Sequence, residues 1–313
     1  MNPHLFGLLC GALVLTAVSI GPIRRWLAER RRLAAWRQNT EDWNAQSERD
    51  TPVGPPLTEI EIAGHVAWFQ SMARDALILR PGTISPTEAP ARIGGPALLA
   101  AKESWPVDGS GNPLEFIAQL DFALLPPLDG FPRDGLARFF VGRDDLYGAD
   151  FDHPDRSMAK VLWHVGERAD GRLVPPPPLA ALECSPFQDD GMRANGVALT
   201  AVPVRDLPDC YSWEVDARLA DPLRREGTDA VFDRFSELSE ARELGHRVGG
   251  YPVFTQFDFR KPGEYDEFDT VLLALSSDSA IMWGDVGEAM FLMRAADLAA
   301  ENFSRVAFYW DCG

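Results

Sequence analysis

Apolar positions along this chain follow first a helical and then a strand-like period, and the change divides it. Leu5 to Ile23 is a run of 19 residues without a charge. At about 1.5 Å per residue it spans roughly 28 Å, close to the hydrocarbon thickness of a bilayer. Trp26, Leu33, Trp36 and Trp43 follow at intervals of 7, 3 and 7, on one stripe of a continuing helix. Thr51 to Pro56 holds three prolines and a glycine, which cannot continue a helix, so residues 51–57 are assigned as a linker. Beyond it, Thr58 with Glu61 forms a capping box, and Ile62, Val66, Phe69, Ala73 and Leu77 recur at helical spacing, which predicts a helix over 58–79 closed by Pro81-Gly82.

From there the pattern is one of short strands separated by turns: Leu114 to Phe122, Leu136 to Val141, Lys160 to Val165, Val197 to Pro203, Val271 to Leu275, Ala289 to Arg294 and Arg305 to Trp310. One further strong helix is predicted, Thr228 to Leu244, stopped by Gly245. Pro175 to Pro178 has the composition of a rigid surface connector. No long parallel crossovers are evident, so the expected class is α+β with a mostly antiparallel sheet over residues 58–313, preceded by an N-terminal membrane unit over residues 1–50.

The body echoes itself. Arg92-Ile93-Gly94-Gly95-Pro96 is matched by Arg247-Val248-Gly249-Gly250-Tyr251-Pro252. Phe116 to Phe122 and then Gly135 with Phe139 follow the first copy, and Leu272 to Asp278 and then Gly287 with Phe291 follow the second. Two similar halves are expected, although Val253 to Phe259 competes with Leu272 to Asp278 as the partner of Phe116 to Phe122.

Together with Trp105-Pro106, Met282-Trp283-Gly284-Asp285-Val286-Gly287 and Asp297-Leu298 before Phe303-Ser304, this ordered set resembles the YwqG-like family of bacterial proteins (domain of unknown function 1963) over roughly residues 58–313. The resemblance implies an α+β domain with internal duplication, sometimes encoded near toxin and immunity genes, with no settled activity and no agreed catalytic residues. Ala274 stands where a Gln often sits in that family, which weakens any binding role for its strand, and the N-terminal anchor is an addition.

Charge sharpens the division. The chain's formal charge is -17, but residues 1–40 carry six arginines and one glutamate, +5, and the rest carries -22. The acidic body argues against a nucleic-acid partner, because neutralising phosphates needs a basic surface. No Lys or Arg precedes the apolar run, whereas Arg24, Arg25, Arg30, Arg31, Arg32 and Arg37 follow it, the reverse of a secretory signal. The positive-inside rule then predicts an uncleaved single-pass anchor in the inner, cytoplasmic membrane, with residues 5–37 on its lipid and the globular domain in the cytoplasm.

Candidate chemistry is sparse. The five histidines form no local metal-binding pair, and Cys184, Cys210 and Cys312 form no Cys-x-x-Cys, so no metal and no cofactor is expected. Asp150 to Asp155 reads as a solvated acidic loop, lacking the glycine and closing glutamate of a calcium loop. Gly94, Gly95, Gly249 and Gly250 suit positive-φ turns rather than phosphate cradles. If a site exists, its candidates are Arg92, Arg247, His246, Gln119, Gln256, Trp283 and Asp285, with both glutamines on strands and the halves closing one cleft around a carboxylate or phosphate. The competing reading is that these arginines and glutamines satisfy backbone carbonyls inside the fold. Three functions follow: a non-catalytic protein-interaction module at the membrane, resembling a toxin-immunity protein; an anionic-ligand module; or a hydrolase using His246 and Asp285 as acid and base.

Overall fold

Thr58 caps the first helix as its spacing requires: its hydroxyl accepts from the Glu61 N–H, and the Glu61 carboxylate accepts from the Thr58 N–H at 2.8 Å. This is a computed structural model in which residues 55–86, 88–165, 171–210, 212–215 and 225–313 are described. The membrane segment and arginine collar expected over residues 5–37 lie outside the described residues, among which no helix is long and apolar enough to cross a membrane.

Helix α1 spans Glu59–Ser71, shorter than the 58–79 expected. The correction has a physical cause. Ala76 to Leu79 is a continuous apolar run buried on both sides, so strand β1, Arg74–Pro81, takes over where a helix would have exposed half of it. The order continues with β2 Ala91–Ile93, β3 Ala97–Leu99, β4 Glu115–Asp121, β5 Leu136–Val141, β6 Lys160–His164, β7 Arg172–Val174, α2 Asp190–Asn195, β8 Val197–Asp206, α3 Thr228–Glu240, β9 Arg247–Gly249, β10 Thr270–Ser276, β11 Glu288–Met293, α4 Ala295–Ala299 and β12 Ala307–Asp311. The class is α+β and the sheet antiparallel throughout its described pairings, as expected.

Ten strands form one sheet in the order β12-β11-β10-β9-β1-β8-β2-β4-β5-β6, and β3 pairs with β7 apart from it. Two five-strand arms therefore extend from the β1–β8 ladder, in which Arg74 faces Asp206 and Pro81 faces Leu199. Arg92 of β2 faces Gln119 of β4, and Arg247 of β9 faces Ala274 of β10, so both facing pairs repeat after 155 residues. Each arm also carries one register shift, between Phe116 and Ala118 in β4 and between Val271 and Leu273 in β10. These registers decide between the competing alignments: residues 253–259 form no strand. β1 precedes β2 in the chain but pairs with β9, while β8 precedes β9 but pairs with β2, so each arm borrows its innermost strand from the other half.

Side chains from both arms fill the core between them. Phe139 of β5 meets Phe291 of β11 at 4.9 Å between ring centroids. Every residue of β4, β5 and β11 is buried, polar Glu115, Gln119, Asp121, Arg138 and Glu288 included. A fully buried Phe or Leu is worth about 1.5–3 kcal/mol each. Helices α1 and α3 pack on each other outside this core, with Phe69 stacked on Phe235 at 4.4 Å.

The outermost strands are covered reciprocally. Trp310 of β12 lies under the loop after β5, where its Nε1 donates to the Leu146 carbonyl at 2.8 Å and its ring meets Tyr147 and Phe151. Trp163 of β6 lies under the loop before β12, donating to Glu301 at 3.3 Å and stacking on Phe303 at 4.4 Å. Both loops turn on a non-glycine residue with positive φ, Tyr147 at 53° and Glu301 at 54°. Covering in this way blunts edges that would otherwise offer open ladders.

Candidate functional site

Arg92 and Arg247 lead the two Gly-Gly turns, and all four glycines adopt positive φ as expected: 65° and 76° at Gly94 and Gly95, 74° and 68° at Gly249 and Gly250. The last turn is also crowded, since a Cβ on Gly250 would collide with the Asp206 carboxylate. These turns swing the chain away so that each arginine points into protein. Arg92 is buried, donates from Nη2 to Gln119 Oε1 at 3.0 Å and lies over the Phe116 ring at 5.4 Å.

Arg247 is 0% exposed. Its Nε donates to the Gly245 carbonyl at 3.2 Å, Nη1 to the Tyr251 carbonyl at 3.4 Å and Nη2 to Glu288 at 3.3 Å, with Asp206 at 4.0 Å. Asp206 in turn accepts from the Tyr251 N–H at 2.8 Å, and Glu288 accepts from the Ser276 hydroxyl. Burial pushes the Glu288 carboxyl above its usual range, outweighing the pull of Arg247. Burial likewise pushes the Tyr251 hydroxyl up to about 12.

His246, beside Arg247, is buried and committed at both ring nitrogens. Nδ1 accepts from the Ser276 N–H at 3.1 Å, which leaves the proton on Nε2, 3.1 Å from the Asp278 carboxylate. Burial opposes the charge of Asp278, but the hydrogen bonds from His246, Ala280 and Ile281 outweigh it, so its carboxyl lies below the usual range. The expected acid–base partner of His246 was Asp285; its hydrogen-bonded carboxylate is instead Asp278. Asp285 is exposed on the turn after Trp283, and Trp283 itself is fully buried against Tyr147 at 5.3 Å.

The single cleft is not formed. Arg92 and Arg247 sit on β2 and β9, separated in the sheet by β8 and β1, or roughly 14 Å at the usual spacing of neighbouring strands. Gln119 joins Arg92, but Gln256 lies on no strand; it is exposed, with its N–H on Asp311 and its amide donating to the Cys312 carbonyl at 2.7 Å. The backbone between Tyr251 and Arg260 is tied to Asp311 by side-chain bonds rather than by a ladder, which defeats the strand reading.

One buried ionic group gave no signal in the sequence. Glu115 of β4, fully buried, accepts from Arg143 Nε at 2.9 Å, from Arg193 and from the Ser185 hydroxyl. The two arginines also hold the polyproline segment, donating to the carbonyls of Pro177 and Pro178. This explains the rigid connector: it is pinned by charge-assisted hydrogen bonds. Nothing local signalled the group, because residues 115, 143 and 193 are distant in sequence. Among the described residues no group of three or more His, Cys, Asp or Glu could hold a metal ion.

A family model described as a domain of unknown function (DUF1963) matches residues 91–312, from the start of β2 through β12. A comparison with curated proteins finds no match to the chain.

Proposed function

The chain belongs to the DUF1963 family, and from that premise we propose that it is a non-catalytic protein-interaction module held at the cytoplasmic face of a membrane. One observation carries the reading: His246, the best acid–base candidate, is buried with both nitrogens engaged inside the fold, and neighbouring Arg247 donates from Nε, Nη1 and Nη2 to internal acceptors. A general base must reach a substrate proton, and an anion-binding arginine must present its fork to the ligand. Neither geometry is met. The matched registers of the two arms support an internal duplication in which the halves exchanged their first strands. Membrane attachment rests on the uncharged run of residues 5–23 and the arginines behind it. The acidic body, at -22 outside residues 1–40, is then the surface offered to a protein partner, one resembling the toxin of a toxin-immunity pair.

Recovery of the tagged full-length chain from detergent-solubilised membranes should bring down one protein in constant ratio, and His246→Gln should leave that ratio unchanged. Absence of a reproducible partner, or loss of it in a His246→Gln chain that still folds, would overturn the reading. Protease added to the outside of intact cells should leave the body uncut; cleavage of residues 55–313 there would reverse the orientation.

A further inference from the structure

Four prolines in succession, Pro175 to Pro178, follow β7 directly. Proline has no N–H to donate, so the β3–β7 ladder ends at Val174, which faces Ala97. Each ring fixes its own φ at about −65°, and Val174, Pro175, Pro176 and Pro177 are restricted again by the proline that follows each of them. The segment is thereby confined to polyproline II, a helix of about three residues per turn with no internal hydrogen bonds.

Exposure along the segment follows that period. Pro175 and Pro178 are exposed, whereas Val174, Pro176 and Pro177 are half-buried. The inner side is held by charge: Arg143 Nη2 and Arg193 Nη2 donate to the Pro177 carbonyl, and Arg143 Nη1 donates to the Pro178 carbonyl at 3.2 Å. Glu183 extends the clamp, accepting from Arg143 at 3.3 Å and from the Ala180 N–H at 2.8 Å. Apolar side chains are left outside at both ends, with Leu173 50% and Leu182 96% exposed. Arg172, three residues before Pro175, is exposed as well. Its Nη2 donates to the Glu103 carbonyl at 3.0 Å, a neutral acceptor, so its charge is unmatched among the described residues.

We propose that Arg172, Pro175 and Pro178 form a docking ligand for a protein domain whose aromatic-lined groove reads polyproline II and carries a carboxylate for the arginine. The inference rests on the protein-interaction reading and names the kind of partner. Pro175 and Pro178 have the Pro-x-x-Pro spacing that such grooves accept, with the outward rings packing on aromatic faces. Residues 172–178 as a whole run basic-x-apolar-Pro-x-apolar-Pro, and a charge at one end gives the ligand a direction, because a guanidinium takes a carboxylate through two parallel bonds. A free proline-rich peptide still loses side-chain and end freedom on docking. Here Arg143 and Arg193 have already fixed the backbone from behind, which lowers the ordering cost of binding.

The test titrates the full-length chain in detergent into a ¹⁵N-labelled SH3 domain whose peptide ligands carry the same basic-x-apolar-Pro-x-apolar-Pro order. The expected result is shifts confined to the aromatic groove and reversed by the free peptide Arg172 to Leu179. Arg172→Ala and Pro178→Ala should each weaken binding by about tenfold or more, and Pro176→Ala, off the exposed edge, by less than about twofold. Thermal melts of the three variants check that the chain remains folded. A groove shifted by the peptide but not by the folded chain, or shifts that survive both Arg172→Ala and Pro178→Ala, would overturn the proposal and leave the segment a connector. Co-purification from membranes separates this inference from the wider one. A partner retained by the doubly substituted, folded chain overturns the polyproline ligand and leaves the interaction module standing, whereas absence of any reproducible partner overturns both.

Discussion

Arg92 and Arg247 occupy the same register in the two arms, yet one is met by a neutral amide and the other by two carboxylates. Arg92 faces Gln119, and the position of Glu288 in the second arm is filled by Leu136 in the first, each directly after a glycine. In the second arm the Gln is replaced by Ala274, and Glu288 with Asp206 takes over as the arginine's partner. The difference teaches that one backbone plan holds a buried guanidinium in two ways, on an amide at Arg92 and on carboxylates at Arg247.

Removing each cation breaks this comparison most directly. Arg247→Met should cost about 3–5 kcal/mol in urea unfolding, because Glu288 and Asp206 are left buried without it. Arg92→Met should cost less, about 1–3 kcal/mol, since its register partner is an amide. Equal costs would mean the carboxylates do not distinguish the arms.

The edge tryptophans extend the contrast. Trp310→Phe removes one of two donors to the Leu146 carbonyl, which keeps the Ala149 N–H at 3.0 Å, and should cost about 0.5–1.5 kcal/mol, whereas the Glu301 partner of Trp163 reaches water, so Trp163→Phe should cost less by the same measurement.

Acid–base behaviour sharpens it further. The folded carboxyl of Glu288 lies above its ordinary value of 4.5, so its contribution to stability is present below that value and is lost as pH rises through the raised one. Glu288→Gln should therefore gain on the wild type as pH is raised from about 4 to 8 in thermal melts. Leu136 gives the first arm no such slope. The smallest effect is expected at Glu61, whose hydrogen bonds from Arg225 and Thr58 hold it down at about 2. Its folded value is depressed, so its contribution is present above the ordinary range and lost as pH falls towards 2. Glu61→Gln should reduce helix α1 protection in hydrogen exchange at neutral pH and make no difference below about pH 2.

Much of this arrangement was legible in the sequence, for local reasons. The β5 bounds and the start of α3 follow from apolar runs and stop signals, and the four turn glycines from their pairing. The two arms were visible as a repeated Arg-x-Gly-Gly. What sequence could not give was which strands become neighbours. The exchange of β1 and β8 puts two strands between the arginines, so the same repeat that announced a cleft prevents one. Asp278, in the echo string itself, passed unrecognised as the partner of His246 because the bond spans 32 residues.

The central claim is that the promising polar residues serve the fold, and His246 tests it most directly through long-range ¹⁵N NMR of its imidazole. A single tautomer, with the proton on Nε2 and Nδ1 an acceptor from Ser276, is the predicted result. A ring protonated on Nδ1, or exchanging between tautomers, would show a histidine released from the fold and would contradict the account.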